Sequence, residues 1–104
     1  MTARLKWYSA TLTFASRVGG IRSLRPLCEE RVVLIRAPTE SRARVLAAQY
    51  GHAEAHSYAN ARGEQVEWLF AKIDRLEQLE PPPAQGCWEV ASRFNRRRQR
   101  DLRE

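Results

Sequence analysis

Residues 5–14 alternate in character from one position to the next. Tyr8, Ala10, Leu12 and Phe14 fall on one side, and Trp7, Ser9, Thr11 and Thr13 on the other, with Lys6 interrupting the apolar row at its start. Successive side chains of a strand point to opposite faces, so this period of two, rich in Thr and aromatics, predicts a strand with one wetter face. Gly19-Gly20 breaks the pattern, and residues 17–29 read as a basic loop containing Pro26. Residues 30–37 then carry the continuous run Val32, Val33, Leu34 and Ile35. A strand apolar on both faces belongs inside a sheet rather than at its edge.

After Pro38 the period changes. Thr39 can cap a helix by accepting a hydrogen bond from a first-turn amide, and Glu40 suits the positive end of the helix dipole. Arg42 stands where a capping box would need Glu or Gln, so that box is absent. Ala43, Leu46, Ala47 and Tyr50 recur at spacings of three and four, an apolar stripe suited to packing on a sheet, and Gly51 is expected to end the helix.

Residues 54–59 read as a short strand, and Asn60-Ala61-Arg62-Gly63 as a turn in which Gly63 adopts positive φ. The stretch 64–80 supports two readings. Val66, Trp68 and Phe70 alternate as in a strand, yet Val66, Leu69, Phe70, Ile73 and Leu76 also trace a helical stripe. The turn before it favours the strand. Pro81-Pro82-Pro83 is a stiff connection, and residues 86–94 alternate again around Trp88, Val90 and Phe94. The predicted fold is α+β: an antiparallel sheet of about five strands, order β-β-α-β-β-β, with one helix packed on one face.

Charge changes this picture mainly at one end. Of the 104 residues, 18 are basic and 12 acidic, a formal net charge of +6. Residues 93–104 hold six arginines against Asp101 and Glu104, whereas residues 1–92 hold twelve basic and ten acidic side chains. The expected division is therefore a single domain over residues 1–94 and a basic tail over 95–104, frayed or disordered. No run approaches the roughly 18–20 apolar residues of a membrane span, and the first residues lack the apolar core of an export signal. A cytoplasmic protein with no membrane partner is expected. In that setting Cys28 and Cys87 are expected to stay reduced.

These segments resemble a family of small, mostly bacterial proteins, domain of unknown function 4288. The resemblance rests on Trp7-Tyr8-Ser9-Ala10, on residues 29–37, on His56-Ser57-Tyr58 leading through Asn60 and Gly63 to Val66, Trp68 and Phe70, and on residues 89–94. It implies the strand reading of residues 66–70 and a single domain. It brings no activity, cofactor or catalytic residue.

Candidate chemistry is sparse. His52, Glu54 and His56 would share a face on a strand, but no further ligand pattern accompanies them. Ser9, Ser57, Ser92, Cys28 and Cys87 lie in no nucleophile motif, and no glycine loop or acidic pair suggests phosphate or glycoside chemistry. No cofactor, catalytic residue or metal site is expected. The main polar-aromatic group is His56, Tyr58, Asn60 and Trp68, where a hairpin would set His56 and Tyr58 on one face within cross-strand reach of Trp68. That group either pins the hairpin or forms a recognition surface. Arg96, Arg97, Arg98, Arg100 and Arg103 are candidate anion contacts. The leading expectation is a non-enzymatic binding or accessory domain acting through protein–protein contact, with a second copy of itself as one partner. The alternatives are a nucleic-acid-associated protein using the Arg-rich tail, with Arg17, Arg22 and Arg25 as further contacts, and a small enzyme or metal site around His56, Glu54 and Tyr58.

Overall fold

The computed structural model describes residues 4–80 and 92–102. Its elements are β1 (Lys6–Val18), β2 (Leu27–Ala37), α1 (Glu40–Ala53), β3 (His56–Ala59), β4 (Gln65–Gln78), β5 (Ser92–Arg96) and a 3₁₀ turn (Gln99–Leu102). The strands form one sheet in the order β3-β4-β1-β2-β5, with every neighbouring pair antiparallel. The architecture is thus α+β with the element order that the sequence pattern predicts. Residues 64–80, ambiguous by periodicity, form a strand.

The core follows from register. Tyr8 faces Ile35 and Ala10 faces Val33 across the β1–β2 ladder, while Leu12 faces Ile73 and Phe14 faces Phe70 across β1–β4. Directly paired residues share a sheet face, so these side chains form one apolar surface. Tyr8, Ala10, Leu12 and Phe14 are all at most 3% exposed. Burying side chains as large as Leu12 and Phe14 contributes about 1.5–3 kcal/mol each. Helix α1 covers this surface through Ala43 and Ala47, both fully buried, with Leu46 and Tyr50 packed beside them. Alanines at the contact let the helix backbone lie close to the strands.

Thr39 caps α1 as its residue type implies, its Oγ1 accepting from the Arg42 amide at 3.1 Å. Gly51 does not end the helix. The chain continues helically to Ala53, with Glu54 as the cap and its amide donating to the Tyr50 carbonyl at 3.1 Å. Glycine is needed at 51 for proximity: a Cβ there would lie 2.5 Å from Cδ1 of Phe70. Gly51→Ala gains up to about 1 kcal/mol of helix propensity. The forced displacement of Phe70 costs about 1–3 kcal/mol. Gly51→Ala is therefore expected to destabilise the protein by about 1 kcal/mol in urea titration; a midpoint above wild type would show that Phe70 can move aside without cost.

Strand β4 carries two irregularities against β1, between Thr11 and Leu12 and between Thr13 and Phe14. Each adds one residue to β4, Ala71 and Asp74, and such bulges bend a strand and sharpen its twist. They also bring Lys72 and Asp74 together on the sheet face opposite α1, beside Thr13.

Two boundaries differ from expectation. The basic loop shrinks to residues 19–26, because β1 and β2 keep pairing as far as Ala15 and Cys28. The frayed or disordered tail is corrected over residues 95–102. Asn95 and Arg96 belong to β5, paired with Cys28 and Leu27, and the Gln99 amide donates to the Leu24 carbonyl at 3.0 Å. Leu102 is 6% exposed. The physical cause is tertiary: the basic segment finds carboxylates on distant strands, described below. Residues 81–91, which include Pro81-Pro82-Pro83, Cys87, Trp88 and Val90, lie outside the described residues, as does Arg103.

Candidate recognition groove

Helix α1 covers only the part of its sheet face around Tyr8 to Phe14. Further along β1 the same face carries Ser16 opposite Trp68 and Val18 opposite Val66. Strand β3 extends it, with His56 paired to Trp68 and Tyr58 to Val66. The turn between β3 and β4 and the 19–26 loop rise on either side. Between them lies a groove of about 610 Å³, lined by Val18, Ile21, Tyr58, Val66, Trp68 and Arg96 among others, none of them from α1.

The aromatic groups are graded in exposure. Trp68 is 8% exposed and forms the floor, its ring meeting Phe94 edge-on at 5.9 Å between centroids. Tyr58 is 47% exposed, Phe94 62% and Ile21 74%. His56 stacks on Tyr58 at 6.1 Å and 20°, and its Nδ1 lies 3.2 Å from the Glu54 carbonyl. Asn60 has a different task. Its Oδ1 accepts from the amides of Arg62 and Glu64 at 3.0 and 2.9 Å, and its Nδ2 donates to Glu64 Oε1 at 3.2 Å. With Gly63 at φ 77°, this fixes the turn. Of the four residues predicted to group together, His56, Tyr58 and Trp68 do share a face. Tyr58, Asn60 and Trp68 line the groove, with Asn60 as its structural pin. Ile21 and Arg96 join the lining, and Phe94, meeting Trp68 beside it, adds to the exposed aromatic surface; an isoleucine in a glycine-rich basic loop was the one available sign of this.

The His52, Glu54 and His56 set is divided. His52 packs edge-on against Phe70 at 5.0 Å, and Glu54 accepts from Arg31 at 3.3 Å. Among the described residues, no three His, Cys, Asp or Glu side chains converge as a metal site.

The predicted anion-contacting arginines also separate. Arg97 enters the sheet face opposite α1, donating to Thr13 Oγ1 at 2.9 Å, to Asp74 Oδ1 at 3.2 Å and to Glu30 Oε1 at 3.4 Å. The Thr13 hydroxyl donates to Asp74, and Lys72 Nζ lies 3.5 Å from the same carboxylate. Arg97 is thus engaged by the carboxylates of Asp74 and Glu30 within the fold. Arg96 donates to the Arg25 carbonyl at 3.2 Å, while Arg98 and Arg100 are exposed. Arg17 forms a two-pronged pair with Glu67, both bonds 3.0 Å. Those hydrogen bonds hold the Glu67 carboxyl below its usual range and raise the Arg17 guanidinium. Burial pushes the Cys28 thiol up, with the backbone hydrogen bond and charge of Arg97 opposing. A thiol held protonated in this way is a poor nucleophile.

The family model described as Domain of unknown function (DUF4288) matches residues 7–92. No curated protein and no solved structure matches the chain.

Proposed function

Since the chain belongs to the domain of unknown function 4288 family, we propose that it is a non-enzymatic accessory domain that works by binding protein, a second copy of itself included. One observation carries this reading: the helix stops short of the Tyr58–Trp68–Phe94 end of its own sheet face, leaving a groove with aromatic and aliphatic walls. Aromatic rings that are rigid and partly exposed supply large contact area at low ordering cost, the property that makes them interface anchors. The apolar exposure extends past the groove to Phe94, which fits a broad partner surface better than a small enclosed ligand. Arg96 and Glu64 supply one charge of each sign at the lining, enough to orient a partner. A cytoplasmic location belongs to the same proposal; no helix among the described residues is long and apolar enough to cross a membrane.

Light scattering across a concentration series, combined with affinity capture on the full chain, tests it. Wild type is expected to self-associate or to retain a defined protein. Tyr58→Ala with Ile21→Ser is expected to weaken that contact roughly tenfold or more, the scale of losing one or two interface anchors. A strict monomer that captures no protein, or a double variant that binds as wild type does, would overturn the proposal.

A further inference from the structure

The corner behind the groove has a different character. Two basic segments distant in sequence meet there. The Gln99 amide donates to the Leu24 carbonyl at 3.0 Å, the Arg97 amide to the Pro26 carbonyl at 3.4 Å, and the Arg96 guanidinium to the Arg25 carbonyl at 3.2 Å. These bonds fasten the start of the 3₁₀ turn to the 19–26 loop. The loop itself is braced by Ser23, whose Oγ accepts from the Arg25 amide at 3.2 Å.

Two depressions result. One of about 250 Å³ is lined by Arg17, Arg22, Gln99 and Leu102, among others. The other, of about 390 Å³, is lined by Leu24, Arg25, Arg98, Gln99 and Arg100. Gln99 borders both, so the depressions meet at that residue, with Arg17 and Arg22 lining the first and Arg25, Arg98 and Arg100 the second. Arg17 is committed to Glu67, and Arg97 to Asp74 and Glu30 on the same sheet face. Arg22, Arg25, Arg98 and Arg100 remain as the cations of this path. Among the described residues, the acids near the path are Glu67, already paired with Arg17, and Asp101, 3.8 Å from Arg100 with both side chains largely exposed.

We propose that this arginine path binds the phosphate backbone of a single-stranded nucleic acid, independently of the protein-binding groove. A guanidinium offers two parallel donors to a phosphate, and several in succession suit a polymer with regularly spaced charge. An extended strand can follow two shallow depressions in succession. Leu24, 84% exposed at the second depression, provides an apolar contact for a base or sugar, and the Gln99 side-chain carboxamide can both donate and accept. Readout would be tolerant of sequence, because affinity comes mainly from charge.

The test is fluorescence anisotropy of the full chain with a labelled oligouridine of about 12 nucleotides, a length spanning typical single-strand sites. Four phosphate contacts on a single strand give a log–log salt slope near −3, hence a loss of roughly 50-fold between 50 and 200 mM salt. Arg22→Gln with Arg25→Gln, and separately Arg98→Gln with Arg100→Gln, are each expected to halve that slope. Each pair should also weaken binding about twentyfold near 100 mM salt. Arg42→Gln with Arg44→Gln on α1 should leave both unchanged. A slope near zero, control variants as weak as the path variants, or absence of binding at 50 mM salt would overturn the proposal. So would tighter binding to vesicles of anionic phospholipid that is lost in the same path variants.

Discussion

A chain shortened to end at Phe94 is expected to be less stable than the full chain by about 4 kcal/mol, a large share of the 5–15 kcal/mol typical of small domains. Three losses add. Removing Leu102 uncovers apolar surface around Ala15, Leu69 and Ala71, at about 1.5–2 kcal/mol. Removing Arg97 leaves Asp74 and Glu30, themselves only partly exposed, without their shared cation. Breaking a fully buried pair costs about 3–5 kcal/mol, and partial solvation here reduces that to about 2. The last rungs of β5 against Leu27 and Cys28 also disappear. Thermal unfolding should show a midpoint lowered by about 15 °C or more. Arg97→Ala alone should account for about half of this, and Lys72 cannot fully compensate because it already approaches the same carboxylate at 3.5 Å. A truncated protein melting within a few degrees of wild type would mean that residues 95–102 contribute nothing to the fold.

The second large effect is expected at Phe14. Its ring is 1% exposed, meets Phe70 edge-on at 5.9 Å, and lies under the Arg31 guanidinium at 4.7 Å from the centroid. Arg31 is itself held by Tyr50 at 3.0 Å and Glu29 at 2.9 Å. Phe14→Ala therefore removes a core ring and the platform of a half-buried cation. The cavity and transfer losses amount to about 3–5 kcal/mol, with the cation–ring contact adding about 0.5–1 kcal/mol. Phe14→Leu refills most of the volume and should cost about 1–2 kcal/mol. Equal effects from the two substitutions in urea titration would rule out the ring contacts as a source of stability.

Much of this architecture was legible because burial on one face writes itself into the sequence with the period of the element. Tyr8, Ala10, Leu12 and Phe14 announced β1, and Thr39 announced the start of α1. The β4 stretch was ambiguous for a reason the register explains. Phe70, Ile73 and Leu76 lie three apart because bulges at Ala71 and Asp74 each insert one residue, so a bulged strand imitates a helical spacing. Gly51 misled for a comparable reason: its requirement comes from Phe70, which is distant in sequence, rather than from local backbone geometry. In the groove, the cross-strand grouping of His56, Tyr58 and Trp68 followed from the hairpin alone. Phe94 and Ile21 could not be added, because they arrive from the far edge of the sheet and from a loop without periodicity. The arginines looked alike as a run. Only their partners, carboxylates for Arg97 and a backbone carbonyl for Arg96, distinguish structural cations from surface ones.

The bond from Arg97 to Thr13 joins positions 84 residues apart, and that from Thr13 to Asp74 spans 61. Closing loops of that size consumes chain entropy before the contacts return anything, which slows the search for the native state. Assembly should therefore begin with the adjacent β1–β2 and β3–β4 ribbons and finish when the last strand docks. In the folded protein, amide protons of β5 and the following 3₁₀ turn should then exchange through a partial opening that leaves the β1–β2 ladder protected.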